Sequence, residues 1–179
     1  MAHQDNSPVV RSSVWIVPAG DALARIEKLT RQAHARAGGP RFKPHLTLLS
    51  GSETTQANAE LRAKHLAAKL APFEITLHRI EWRREYYRSL YVAVELTPAL
   101  IAARRAAYEI FEMNPPPPFD PHVSLVYGDV DEALKRELAA GAGGRLDLKF
   151  KADAVQLVNA SPSVAVTGWK TLAEFKFAA

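Results

Sequence analysis

The chain has 179 residues, a net charge of +4 and no cysteine. Its length suits one domain of ordinary size, and the lack of cysteine excludes disulfides, thiolate nucleophiles and cysteine-ligated metals. No run approaches the roughly 18 apolar residues of a membrane span, and the N-terminus lacks the apolar stretch of a signal peptide. We therefore expect a cytoplasmic protein with no membrane partner, in which residues 1–11 form a flexible tail and residues 12–179 a single domain.

Hydrophobic periodicity predicts two similar series of elements along the chain. The first has a strand at 12–18, a helix at 21–37 capped by Asp21, a strand at 44–49, a helix at 54–71, and strands at 73–87 and 89–96. The second has a helix at 97–112 capped by Thr97 and a stiff proline-rich loop at 113–120. It continues with a strand at 121–129, a helix at 130–141, a strand pair or one bent strand at 146–160, and a last strand at 167–177.

One motif occurs in both series. The stretches "FKPHLTLL" (42–49) and "FDPHVSLV" (119–126) begin 77 residues apart and share the order Phe, any residue, Pro, His, apolar, hydroxyl, Leu, apolar. The repeated motif and the repeated order of elements indicate a diverged internal duplication. The predicted fold class is α+β, with two interleaved, pseudo-twofold-related lobes whose sheets carry helices on the outside and enclose an active-site cleft.

The spacing of the motif separates its polar side chains from its apolar ones. Residues i and i+2 of a strand point to the same face, so His45 and Thr47 share one face, and His122 and Ser124 share the corresponding face in the second copy. If the two lobes face each other, these four side chains converge in the cleft.

Two histidines and two hydroxyls suit the hydrolysis of a phosphate ester. One imidazole can be neutral while the other is protonated near neutral pH, so one accepts a proton from water and the other protonates a leaving oxygen. The hydroxyls can donate hydrogen bonds to phosphate oxygens. A zinc site would need a further histidine or a carboxylate, so we expect no metal and no cofactor.

Structural interpretations compete with these functional ones. A single histidine in a strand is more often a satisfied structural group than a catalyst, and only the matched pair favours function. Tyr127 and Trp15 are either core aromatics or rings that contact a nucleotide. The aromatic cluster "EYYRSLY" (85–91) has the same two interpretations.

These motifs resemble those of the 2H phosphoesterase superfamily, and within it the plant and fungal cyclic phosphodiesterase group. The resemblance rests on "SVWIVP", "GGPRFKPHLTLLSG" and "PHVSLVYG" and extends from about residue 12 to residue 177. It implies catalysis by His45 and His122 and phosphate binding by Thr47 and Ser124. It also places a nucleotide-stacking ring at Tyr127, with Trp15 close to the site. Plant members carry disulfides that this chain lacks, and the proline-rich loop would replace them.

The resemblance implies metal-independent opening of nucleoside 2′,3′-cyclic phosphates to 2′-phosphates, or of ADP-ribose 1″,2″-cyclic phosphate to the 1″-phosphate. The two motifs are nearly symmetric, and only the resemblance favours His122 as the base. An enzyme acting on RNA ends, with activity like that of a 2′-5′ RNA ligase, and a nucleotide-binding module without turnover remain alternatives. We expect a monomer whose partner is a small cyclic nucleotide or ADP-ribose cyclic phosphate, with RNA ends as a second possibility.

Overall fold

The computed structural model describes residues 8–114 and 118–178. In these ranges the strands are β1 (Val9–Ile16), β2 (Leu46–Thr55), β3 (Phe73–Trp82), β4 (Leu90–Val94), β5 (His122–Val126), β6 (Arg145–Ala152), β7 (Ala154–Asn159) and β8 (Lys170–Lys176). The helices are α1 (Gly20–Ala37), α2 (Gln56–Lys69), α3 (Pro98–Ile110) and α4 (Glu132–Gly141), and short 3₁₀ turns lie at Tyr86–Arg88 and Val166–Gly168. The predicted α+β class is confirmed. No helix in the described part of the chain combines the length and apolar character needed to cross a bilayer.

The strands form one antiparallel sheet in the order β6-β3-β4-β5-β2-β1-β7-β8. The motif strands β5 and β2 lie at its centre, where Leu46 pairs with Val123. Four strands extend to either side of this junction, so two lobes are present, but they are continuous. The sheets that the sequence predicts as separate are therefore joined.

The two halves of the chain exchange strands. One side of the junction combines β3 and β4 of the first series with β5 and β6 of the second, and the other side combines β1 and β2 with β7 and β8. Within these two sides, the pairs that join the two series are β3 with β6, β4 with β5, and β1 with β7. Each side of the sheet therefore contains strands from both series.

The helices pack on the lobes through narrow apolar faces. In α1 the buried residues Ala22, Ile26, Leu29 and Ala33 recur at helical spacing, and this helix packs on β5 and β6. The second helix packs on β7 and β8 and contacts α3, which also covers β2. The buried side chains of all four helices join those of the strands in one hydrophobic core.

Of the two helix caps predicted from the sequence, the structure confirms one. The Thr97 hydroxyl accepts a hydrogen bond from the backbone N–H of Leu100, as predicted for a capping threonine. In α1, however, Ala19 occupies the cap position without a side-chain bond, and Asp21 lies in the first turn. The capping role predicted for Asp21 is therefore wrong.

The structure also revises the predicted start of the first strand and defines the segment 146–160. β1 begins at Val9, because residues 9–11 pair with 53–55 of β2, so the predicted tail is shorter than 1–11, and residues 1–7 lie outside the described residues. The segment 146–160 is two strands that pair with β3 and β1, at opposite sides of the sheet. Part of the predicted stiff loop, 115–117, lies outside the described residues.

Candidate active site

The two motif strands present their polar side chains to one cleft. Leu46 and Leu48 are fully buried in the core behind β2, and Val123 and Leu125 are fully buried behind β5. The alternate positions of both strands line a cavity of about 380 Å³. Its walls are formed by Arg11, Ser13, Trp15, His45, Thr47, Ser50, Gly51, Tyr87, Arg88, His122, Ser124, Tyr127, Ala160, Pro162 and Trp169. The structure therefore brings all six predicted site residues to the same cleft.

The strand register arranges the four polar side chains as a square. Leu46 pairs with Val123 in an antiparallel ladder, so Thr47 lies across from His122 and His45 lies across from Ser124. The two histidines occupy one diagonal and the two hydroxyls the other. Diagonal side chains on neighbouring strands are separated by about 7–8 Å, which leaves room for a phosphate group between the imidazoles.

His45 is held from two sides. Its Nδ1 lies 2.7 Å from the carbonyl oxygen of Lys43, which can only accept, so Nδ1 carries the hydrogen and the neutral ring has its free lone pair on Nε2. The Trp15 ring stacks on the imidazole with centroids 3.5 Å apart and an interplanar angle of 9°. The pKa of His45 is lowered to about 4, mainly by burial and to a smaller extent by the positive charges of His122 and Lys43, against the raising effect of the Lys43 carbonyl.

His122 repeats this arrangement with different neighbours. Its Nδ1 lies 3.0 Å from the carbonyl oxygen of Asp120, and its ring meets Tyr91 edge-on at 5.3 Å. Burial lowers the pKa of His122, and the Arg88 cation adds to this effect. The carbonyl of Asp120 and the carboxylates of Asp120 and Glu85 oppose the shift. In each motif the residue before the proline therefore supplies the carbonyl that fixes the ring.

The two hydroxyls differ in their partners. The Ser124 hydroxyl donates a hydrogen bond of 2.8 Å to the carbonyl oxygen of Tyr87. Among the described residues, the Thr47 side chain has no hydrogen-bond partner. A bound phosphate oxygen could therefore accept directly from Thr47, whereas Ser124 would have to turn away from the backbone.

The aromatic side chains of the site form a connected cluster. Trp15 and Tyr127 are only 4% and 3% exposed, and the Phe42 ring stacks on Tyr127 with centroids 3.8 Å apart. The Trp169 ring meets the Trp15 ring edge-on, with centroids 5.8 Å apart. Its centroid lies 6.3 Å from that of the exposed Tyr87 ring, and the interplanar angle of this second pair is 27°. Tyr87 falls in the aromatic cluster that the sequence suggests for a nucleotide pocket. No motif in the sequence indicates Trp169, which lies far along the chain from both histidines.

Two arginines, Arg11 and Arg88, line the cleft, while no carboxylate does so in the part of the chain that the structure describes. Arg88 forms an ion pair with Asp120, and Arg83 pairs with the same carboxylate at 2.7 Å. The cleft is therefore electropositive and suits an anionic ligand.

Residues 8–114 and 118–178 contain no group of three or more histidine or acidic side chains that could hold a metal ion. His78 lies outside the cleft, 3.9 Å from Glu95 and 3.7 Å from Asp147, and His65 is exposed on α2. A further cavity of about 370 Å³ lies between α1 and α4, but none of the predicted site residues lines it.

The chain is similar to known proteins in sequence. A sequence profile described as the 2′-5′ RNA ligase superfamily matches residues 17–162, which include both histidine motifs. A cyclic phosphodiesterase from Arabidopsis thaliana is 25% identical over 166 residues, covering 90% of this chain and 92% of the plant protein. A 2′,3′-cyclic-nucleotide 3′-phosphodiesterase from Yarrowia lipolytica is 28% identical over 137 residues, covering 54% of this chain and 63% of the yeast protein.

Solved structures share the fold. TT0787 of Thermus thermophilus superimposes with a TM-score of 0.64 at 18% identity, covering 93% of this chain and 97% of that one. LigT of E. coli, solved in complex with 3′-AMP, gives a TM-score of 0.61 at 16% identity, covering 94% and 98% of the two chains.

Proposed function

The chain belongs to the 2′-5′ RNA ligase superfamily, the 2H phosphoesterases, and from this premise we propose that it hydrolyses small cyclic phosphodiesters without a metal ion. The proposed substrates are nucleoside 2′,3′-cyclic phosphates and ADP-ribose 1″,2″-cyclic phosphate. The observation that carries the proposal is the square of side chains: His45 and His122 lie diagonally across one cleft, each with Nδ1 bonded to a backbone carbonyl. That arrangement leaves the Nε2 atom of each ring without the carbonyl contact that holds its Nδ1, which supports a role for both Nε2 atoms in proton transfer.

The proposed reaction is an in-line displacement at phosphorus. The Nε2 atom of one histidine accepts a proton from water, and the water oxygen forms a bond to phosphorus. The bond from phosphorus to the 3′ oxygen breaks on the opposite side, and the second histidine donates its Nε2 proton to that oxygen. A nucleoside 2′-phosphate leaves, and proton exchange with solvent restores the two histidines.

The surroundings of the two rings support one assignment of these roles. The base must be neutral before the reaction, and burial keeps His45 neutral by lowering its pKa to about 4. The acid must be protonated, and the carboxylates near His122 favour its charged form. We therefore assign His45 as the base and His122 as the acid, the reverse of the order that the resemblance favours.

The remaining side chains of the cleft complete the proposal. Thr47 and Ser124 donate to the non-bridging phosphate oxygens, whose charge grows in the transition state. The nucleobase packs against Tyr87 and Trp169, because Tyr127 and Trp15 are covered by Phe42 and His45 and support the site from behind.

The test is hydrolysis of the four nucleoside 2′,3′-cyclic phosphates in the presence of EDTA. We expect turnover by the wild type and a loss of about 10²–10⁴ in rate for His45→Ala and for His122→Ala, the usual effect of removing a general acid or base. His65→Ala, on the exposed face of α2, is the matched control and should turn over normally. Absence of turnover by the wild type, or normal turnover by the two cleft variants, would exclude the proposed reaction.

A further inference from the structure

Beyond the catalytic square, the cleft continues along β1 to an arginine. Arg11, Ser13 and Trp15 alternate along the strand and all line the cleft. Trp15 pairs with Thr47, and Arg11 pairs with Glu53, further along β2. Arg11 lies four residues before Trp15 in β1, so its backbone is about 13 Å from that of Trp15, which lies beside the catalytic side chains. The long Arg11 side chain can span part of this distance.

A glycine shapes the surface beneath this arginine. The register between β1 and β2 shifts at Ser12 and Ser13, leaving Gly51 as an extra residue on β2 with φ of 81°. A Cβ atom placed on Gly51 would lie 3.6 Å from Nη2 and 3.8 Å from Nε of Arg11. The guanidinium therefore lies close over the bulge, where the absence of a side chain on Gly51 keeps its surroundings open.

The hydrogen-bonding capacity of this end of the cleft is largely unused. Arg11 pairs with Glu53 through Nη1 at 3.3 Å, and no other partner of Arg11 is found among the described residues. The side chains of Ser13 and Ser50, which face each other across β1 and β2, likewise have no hydrogen-bond partner in residues 8–114 and 118–178. Ser13 is only 4% exposed overall, but its unpaired hydroxyl is not among the fully buried polar atoms, and the residue lines the cleft.

We propose that Arg11, Ser13 and Ser50 bind a second phosphoryl group of the substrate, separated by the ribose from the cyclic phosphate. This inference rests on the proposed function, because it assumes a cyclic phosphate between His45 and His122. Nε and Nη2 of the guanidinium form the planar fork that pairs with two phosphate oxygens, and the hydroxyls supply further donors. A 5′-phosphate of a nucleotide and the diphosphate of ADP-ribose both carry this group on the side of the ribose away from the reacting bond.

Paired substrates test the subsite. We would compare adenosine 2′,3′-cyclic phosphate with the same compound carrying a 5′-phosphate, and express the result as a ratio of kcat/KM. We expect the 5′-phosphorylated compound to be favoured about tenfold by the wild type, the effect of one charged hydrogen-bonded contact at a half-exposed site. Arg11→Met should bring the ratio close to one, and Glu53→Gln should raise it by releasing Nη1.

Arg79→Met is the matched control, since Arg79 is also a strand arginine paired with a carboxylate but lies outside the cleft. It should keep the wild-type ratio. A wild-type ratio near one, or a ratio that survives Arg11→Met, would overturn the subsite. ADP-ribose 1″,2″-cyclic phosphate forms a third arm: a larger loss on Arg11→Met for this substrate than for the 5′-phosphorylated nucleotide would assign the subsite to a diphosphate.

A binding measurement separates failure of the subsite from failure of the proposed function. Calorimetry would compare adenosine 2′,5′-bisphosphate with adenosine 2′-phosphate, which differ only in the second phosphate. Tighter binding of the bisphosphate to the wild type, lost in Arg11→Met, supports the subsite even if no cyclic phosphate is hydrolysed. Equal binding of the two ligands counts against it whatever the enzyme turns over.

Discussion

Lys43 and Asp120 occupy the same position of the two motifs, two residues before each histidine. Both supply the same backbone feature, a carbonyl oxygen that accepts from Nδ1, but their side chains have opposite charge. The Lys43 cation disfavours protonation of His45, whereas the Asp120 carboxylate favours protonation of His122. Burial lowers the pKa of both rings, and the charged residue in each copy adds a further difference between them.

This asymmetry predicts the pH dependence of kcat/KM, which reports the free enzyme. The rate should rise with pH as His45 loses its proton, around its pKa of about 4, and fall as His122 loses its own, below the ordinary histidine value of 6.5. The optimum therefore lies on the acid side of neutrality. Initial rates at low substrate concentration, measured between about pH 3.5 and pH 8 at constant ionic strength, check this.

Two substitutions identify which histidine controls which limb. Arg88→Met removes a cation that lowers the pKa of His122, so the descending limb should move to higher pH. Lys43→Met removes a cation that lowers the pKa of His45, so the ascending limb should move to higher pH. If Arg88→Met moved the ascending limb instead, the roles assigned to the two histidines would be reversed.

At the scale of single residues, the period of two in a strand is enough to predict the polar face. It places His45 and Thr47 together and puts Leu46 behind them, because alternation is a local property of the backbone. Trp169 and Arg11 are different, since their positions in the cleft depend on pairings between distant strands. No local pattern in the sequence contains that information.

At the scale of elements, α3 links the two motifs through Arg104. This side chain is 9% exposed, and its Nη1 donates a hydrogen bond of 3.0 Å to the carbonyl oxygen of Leu48 in β2. The guanidinium also lies 4.2 Å from the ring centroid of Phe119, the first residue of the second motif. One arginine therefore connects the first motif strand to the segment that precedes His122.

Arg104→Met should destabilise the fold by roughly 2–4 kcal/mol, because a buried charged hydrogen bond and a cation–π contact are lost together. Chemical denaturation gives the free energy of unfolding. Arg105→Met, at the next position of α3, is the control, since Arg105 is exposed and forms only a surface ion pair with Glu109. Equal stability of the two variants would contradict the bracing role of Arg104.

The helices and most strands can be predicted from the sequence, because their caps and periodicity are local signals. The segment 146–160 shows the limit of prediction from local signals. Its apolar pattern is compatible with a strand pair or one bent strand, and the structure has two strands, of which β6 pairs with β3 and β7 pairs with β1. The choice is made by partners far away in the chain, in β3 and in β1, which the pattern within the segment cannot specify.

At the scale of the whole molecule, the two lobes meet where the proposed catalytic groups are buried. The paired β2 and β5 form the junction of the sheet, and His45 is 7% exposed beside it. Burial keeps His45 neutral, as its proposed role as the base requires. Burial also connects the protonation of His45 to folding, because the unfolded chain binds a proton more readily than the folded chain does. The site is therefore expected to limit the stability of the protein in acid.

The direction of this effect follows from the lowered pKa. The pKa of His45 is near 6.5 in the unfolded chain and about 4 in the folded one. Its contribution to the free energy of unfolding is therefore fully present above pH 6.5 and is lost as pH falls towards 4. Between pH 7 and pH 4.5 the free energy of unfolding should fall by roughly 2–3 kcal/mol on account of this residue alone. Urea denaturation at both pH values, for the wild type and for His45→Asn, measures the difference. His65→Asn, at the exposed position on α2, should keep the wild-type loss, whereas an equal loss in His45→Asn would mean that His45 does not couple protonation to folding.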